Sequence, residues 1–189
     1  MKAKLLRPSV IKRGEWFKEK DPNVWKKTRL EVLRRDSYTC VYCLWQSRKF
    51  MQVNHVGAED NHALENLETV CSACHSALHI GINSMEGFVS VFDCKPELQN
   101  VARVVRATRT LVACSTPWEE IEQQVLEHFL VPGGRVYSAP ETTLLANQLL
   151  RQIKPEEYRA YLSEGKSLLF YESPEWNGFS ERVYRWQLL

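Results

Sequence analysis

Four cysteines in two CxxC pairs, Cys40-Val-Tyr-Cys43 and Cys71-Ser-Ala-Cys74, constrain this 189-residue chain more than any other feature. Each pair forms a knuckle whose two thiolates point at one ion, and two knuckles close a tetrahedral four-sulfur site with no open coordination position. Such a site is structural, and in small zinc modules the ion contributes on the order of 10–16 kcal/mol to folding. Disulfides or two redox CxxC motifs fit less well, because the chain is long and shows no secretory leader, so zinc in a reducing compartment is expected. Cys94 and Cys114 lie outside the knuckles and are expected to be small buried apolar residues. Within and behind the knuckles stand Asn54-His55, Asn66, and then His75 and His79 one helical turn apart. The spacing leaves two arrangements open: two bound metals, or one metal beside a separate histidine-lined pocket.

A composition of 44% hydrophobic and 25% charged residues supplies a core and excludes a disordered chain. With no apolar run near 18 residues, a soluble, cytoplasmic protein without membrane insertion is expected. The net charge of +2 conceals an asymmetry: residues 1–50 carry 14 Lys and Arg against 5 Asp and Glu, and residues 51–189 carry 11 against 18. A basic end of this kind attracts nucleic acid or an acidic protein surface.

Residues 1–20 read as a basic arm, strand-like at Leu5–Ile11. Asp21-Pro22 supplies an N-cap and a first-turn proline for a helix to about Arg35, with Trp25, Leu30 and Leu33 as apolar positions. Cys40 to His55 is expected as a knuckle and short hairpin, 56–64 as a polar loop, and Cys71 to Ile80 as a short helix ended by Gly81 with His75 and His79 on one face. Gly87–Phe92 reads as a strand. Helices are expected over Leu98–Ala113, from a capping box at Thr116-Pro-Trp-Glu119 to Leu130, and over Pro140–Ile153, Pro155–Glu164 and Ser180–Leu189. Leu168–Tyr171 is left between strand and buried turn.

Residues 25–80, through Arg35-Asp-Ser-Tyr-Thr-Cys-Val-Tyr-Cys43, Val53-Asn-His55, Glu65-Asn-Leu67 and Cys71-Ser-Ala-Cys-His75, resemble an HNH domain, the zinc-knuckle form of the His-Me finger. The resemblance implies an α+β fold: a zinc-stabilised ββα-metal core over residues 21–92, followed by a mostly helical C-terminal region over 93–189. In active members, the histidine matching His55 is the general base that activates water, and a divalent ion stabilises the leaving 3′ oxygen. Asn66 matches the residue that ties the loop and orients the base. Asn54, His75 and His79 match positions for a second ion, such as Mg2+, Mn2+ or Ni2+. Asn54 departs from the pattern, because active enzymes usually place Asp or His there and an amide oxygen holds a divalent cation more weakly.

Over most of residues 25–175 the order of shorter motifs is similar to the DotN/IcmJ family of type IVB secretion coupling complexes and their conjugation-system relatives. They include Gln46, Asn66-Leu-Glu-Thr-Val-Cys71, Pro96-Glu-Leu98, Gly133-Gly134 and Ser138-Ala-Pro140. This resemblance implies a structural zinc-binding subunit, associated with an inner-membrane secretion complex, that docks on the C-terminal tail of a coupling ATPase. Two function classes follow. One is a scaffold whose helical half, rich in aromatics such as Trp118, Trp176, Phe179, Tyr184 and Trp186, binds a partner chain. The other is a DNA-nicking endonuclease whose basic segment Lys18–Arg35 positions phosphates, with Lys26, Lys27, Arg34 and Arg35 as backbone contacts and little sequence specificity.

Overall fold

Strand β1 (Ser9–Ile11) and helix α1 (Pro22–Arg35) open the fold of the computed structural model, which describes residues 2–12, 22–95, 101–173 and 176. The expected cap at Asp21, the Pro96–Leu98 motif and the C-terminal helix with Phe179, Tyr184 and Trp186 lie outside the described residues. Helix α1 buries Val32 and Leu33, whereas Leu30, expected on the apolar face, is 38% exposed. It ends where Ser37 and Tyr38 take positive φ and the Tyr38 amide returns to the Leu33 carbonyl at 2.7 Å. That turn aims the chain into the first knuckle.

Strand β2 (Met51–His55) pairs antiparallel with β3 (Leu67–Cys71), from Met51 opposite Cys71 to His55 opposite Leu67. All of β3 is buried because α1 and the first knuckle pack against it. Helix α2 (Ser72–Leu78) starts directly from β3, and the chain breaks at His79 before α3 (Ile80–Met85). The expected stop at Gly81 is therefore misplaced: Gly81 lies inside α3, and fully buried Ile80 anchors the new helix.

Strand β4 (Val89–Asp93) leads to helices α4 (Val101–Ala113) and α5 (Trp118–Phe129), strand β5 (Val136–Tyr137) and helix α6 (Ala139–Gln152). The described chain then adds strands β6 (Arg159–Tyr161) and β7 (Lys166–Phe170). Thr116 is not the cap of α5. Its amide closes the end of α4 on Leu111, and Pro117 occupies the N-cap with no side-chain bond. A capping box does form at α6, where Ser138 and Glu141 bond reciprocally. Cys94 is buried as expected, but Cys114 is exposed in the turn after α4.

Residues 155–164 were expected to be helical and instead contain β6, paired antiparallel with β1 in the register Ser9 to Tyr161 and Ile11 to Arg159. Non-local pairing overrides the local helical pattern there. Part of the expected N-terminal arm is buried: Leu6 is 0% and Val10 2% exposed. β4 lies between β5 and β7 in a three-stranded sheet, so the expected boundary at residues 92–93 falls within a strand of that sheet. Helix α6 lies against this sheet, with Thr142 Oγ1 accepting the Val91 amide at 2.9 Å. Trp118 and Trp176 meet edge to face, and Trp176 does the same with Phe170, so these aromatics pack on one another. The fold is α+β, with one hydrophobic core running from β1 and the knuckles through β4 and β7 to α4 and α5. Among the described residues, no helix is long and apolar enough to cross a membrane.

Candidate functional site

The first knuckle is built by backbone bonds from Cys40 N to Trp45 O at 2.8 Å and from Leu44 N to Cys40 O at 2.9 Å, with Leu44 at positive φ. The second comes from the junction of β3 and α2, where the Cys71 sulfur caps the helix by accepting the Cys74 amide at 3.5 Å. The four sulfurs, all buried, lie within 4.8 Å of one another. A zinc ion with Zn–S bonds of about 2.3 Å sets tetrahedral sulfurs about 3.8 Å apart. Cys43 and Cys71 stand at 3.7 Å, so the donor set fits a structural zinc.

Arg109 of α4 donates to Cys43 Sγ at 3.4 Å and stacks over Trp45. Four thiolates around Zn2+ leave net negative charge, and this guanidinium from the C-terminal half offsets part of it. Bonds shared with Cys40 and then the other thiols, together with Arg109, hold the Cys43 thiol far below its ordinary value. Burial first, and then the same shared bonds, push Cys74 up. A metal ion takes these sulfurs as thiolates, so its uptake releases protons and is coupled to folding.

The histidine side of the site hangs from the end of β2. Asn54 and His55 are buried at 3% and 9% exposure. Asn54 Nδ2 donates to Glu68 Oε1 at 2.9 Å, and Glu68, itself 3% exposed, also accepts from Tyr42 OH at 2.7 Å and Lys4 Nζ at 2.8 Å. His55 Nε2 lies 2.9 Å from His62 Nδ1, and its ring stacks on Trp25. Asn66 is bonded into the loop after β2. Its Oδ1 accepts the Gly57 amide at 2.7 Å, and its Nδ2 donates to the carbonyls of Ala58 and Asn61. It therefore shapes the loop that carries His62, whose ring nitrogen lies 2.9 Å from that of His55.

His75 and His79 meet with ring centroids 4.3 Å apart. Burial, with the nearby positive charge of Arg159 adding to it, pushes the His75 imidazole down to about 4. Arg159 itself enters from β6. Its Nη2 donates to Asn54 Oδ1 at 3.4 Å and to the His55 carbonyl at 3.2 Å, and its Nη1 donates to the Leu78 carbonyl at 3.1 Å and to Ser9 Oγ at 2.8 Å.

On α1, Lys26, Lys27 and Arg34 are exposed. Arg35 is engaged internally: it forks onto the Asp36 carboxylate at 2.7 and 2.8 Å and donates to the carbonyls of Leu64 and Leu67. Sequence reasoning missed Glu68, His62, Arg109 and Arg159. Glu68 is the one acidic residue of a buried strand and has no local mark, and the two arginines reach the site only through tertiary packing.

A cysteine-lined structural metal site, a hairpin ending in Asn-His and a following helix carrying two histidines are now in place. Residues 40–80 match the HNH endonuclease family model. No curated protein matches the chain. The matched span starts at the first zinc ligand and ends one residue past His79, so β1, α1, Arg109 and Arg159 lie outside it.

The module's second-ion positions do not fit a divalent cation as they stand. The Asn54 carboxamide oxygen is the ligand atom, and a guanidinium already donates to it. An ion about 2.0–2.6 Å from that oxygen would crowd a fixed positive charge. Among the described residues, the four cysteines are the one group of three or more His, Cys, Asp or Glu that converges closely enough to hold a metal.

Proposed function

We propose that this protein is a non-hydrolytic, zinc-stabilised HNH scaffold that binds a protein partner. The DotN/IcmJ resemblance names the class: a subunit of a type IVB secretion or conjugation coupling complex, docked on the tail of its ATPase at the inner membrane. One observation carries the non-hydrolytic part. Both polar ends of Asn54, the residue at the family's metal-ligand position, are taken up internally, by Glu68 and by Arg159. Phosphodiester cleavage without a cation at the leaving oxygen loses the main source of transition-state charge stabilisation.

The second reading, a metal-dependent endonuclease that nicks DNA with little sequence specificity, is favoured by His55 itself. A histidine held against His62 and Trp25 has the support that a general base needs.

A plasmid-nicking assay on zinc-loaded protein, in Mg2+, Mn2+ and Ni2+, separates the two. The scaffold reading expects no nicking above that of a His55→Ala control. Nicking by the wild type that disappears in His55→Ala overturns it and establishes the nuclease. In the same preparation, the His55→Ala protein should co-elute with a coupling-ATPase tail peptide as the wild type does, and loss of that complex would count against a scaffold independent of the histidine.

A further inference from the structure

We infer that Arg159 takes the structural place of the HNH module's second metal ion, so that a built-in guanidinium holds the pocket together and its removal opens a site for a divalent cation. The inference deepens the scaffold reading and rests on it. In an ion-bearing HNH module, a divalent cation ties the end of the hairpin to the following helix. Here one side chain ties the same two elements, through Asn54 Oδ1 and the His55 carbonyl on β2 and the Leu78 carbonyl at the end of α2. A cation at a helix C-terminus also sits favourably against the unpaired carbonyls there.

The same guanidinium bonds Ser9 Oγ on β1, which in turn donates to the Leu78 carbonyl at 3.2 Å. Four donor contacts, all to neutral oxygens, satisfy a planar fork well and would suit an ammonium poorly. The neutral amide at Asn54 is consistent with this arrangement, since an aspartate would bind either cation and an amide oxygen is sufficient for a hydrogen bond. His75 and His79 stand beside each other on the same stretch of chain, with ring centroids 4.3 Å apart, and supply two imidazoles to a site that loses the guanidinium.

The experiment compares zinc-loaded wild type with Arg159→Ala and Arg159→Met, the latter keeping the apolar stem. Isothermal titration calorimetry uses Ni2+ and Mn2+ as probes, with thermal unfolding run with and without each ion. The wild type is expected to show no saturable uptake up to about 1 mM. At least one variant should bind one further ion at least about tenfold more tightly, gain thermal stability from it and retain its single zinc. Asn54→Asp added to Arg159→Met should tighten that binding again.

Uptake by the wild type as tight as by the variants overturns the inference. So does a pair of variants that take up no ion, and so does a pair that stays unfolded both with and without Ni2+, because Arg159 would then be acting through packing alone. The nicking assay keeps the two readings apart. If the wild type does not nick and no variant gains an ion, only the present inference falls. If the wild type nicks with Arg159 in place, the scaffold reading falls.

Discussion

Replacing Glu68 is expected to show how firmly the Asn54 end of the site is held. The carboxylate is 3% exposed and accepts from Tyr42 OH, Asn54 Nδ2 and Lys4 Nζ. Glu68→Ala leaves the phenol and the buried amide without their acceptor, at about 1–3 kcal/mol each, and removes a pair with half-exposed Lys4 worth about 0–1 kcal/mol. The total is about 2–7 kcal/mol, or roughly 4–28 °C in Tm for a chain of this size.

Glu68→Gln keeps an oxygen for Tyr42 and Asn54 and loses the charge together with the Lys4 contact. Its cost should be about 1 kcal/mol. Urea and thermal unfolding of the zinc-loaded proteins, with zinc content measured in each, decide the matter. Equal losses in Glu68→Ala and Glu68→Gln would refute the reasoning, because they would place the stabilisation in the charge and not in the two acceptor contacts. So would a Glu68→Ala protein within about 1 kcal/mol of the wild type.

Cys40→Ser is expected to reduce bound zinc below one per chain and lower Tm by more than about 10 °C, as metal analysis and calorimetry would show. Gly57→Ala puts a Cβ 2.9 Å from the Asn66 oxygen that the Gly57 amide uses, and should cost about 1–3 kcal/mol while shifting Trp25 fluorescence as the His62 loop moves. Burial followed by the charge of Glu68 raises the Tyr42 phenol, so the folded state keeps a proton that the unfolded state releases. Stability should therefore be level below about pH 10 and fall above it, less steeply in Tyr42→Phe, in unfolding curves taken at increasing pH. Burial opposes ionisation of Asp36, but its bonds to Arg35 and Thr69 outweigh that and hold the carboxyl below its ordinary value. The stability they confer is intact above about pH 4 and lost as the pH falls, and Arg35→Gln should flatten this acid limb.

Where a feature is encoded in neighbouring residues, the sequence shows it. Two CxxC pairs specify their own ligand geometry, and a proline that opens a helix of fourteen residues marks α1. Strand β6 is different, because Pro155-Glu-Glu-Tyr-Arg-Ala-Tyr-Leu favours a helix until β1, 150 residues earlier, offers it a partner. The cap of α5 failed for a related reason: Thr116 is drawn into closing the preceding helix. At the site, His55 and His75 stand out because they flank the hairpin and the second knuckle. Arg159 carries no such mark. Nothing near residue 159 hints that a guanidinium there reaches the hairpin, since that meaning exists only after the two ends of the fold have met.

The distance between β1 and β6 also sets a schedule for synthesis. At about 5–20 residues per second, β1 leaves the ribosome roughly 8–30 s before the strand it pairs with. The matched HNH span is complete by residue 80, while β1 still lacks the strand it pairs with. For that interval all four cysteines of the knuckles are already in the nascent chain while β1 has no strand to pair with, until Arg159 and its neighbours arrive to fasten it.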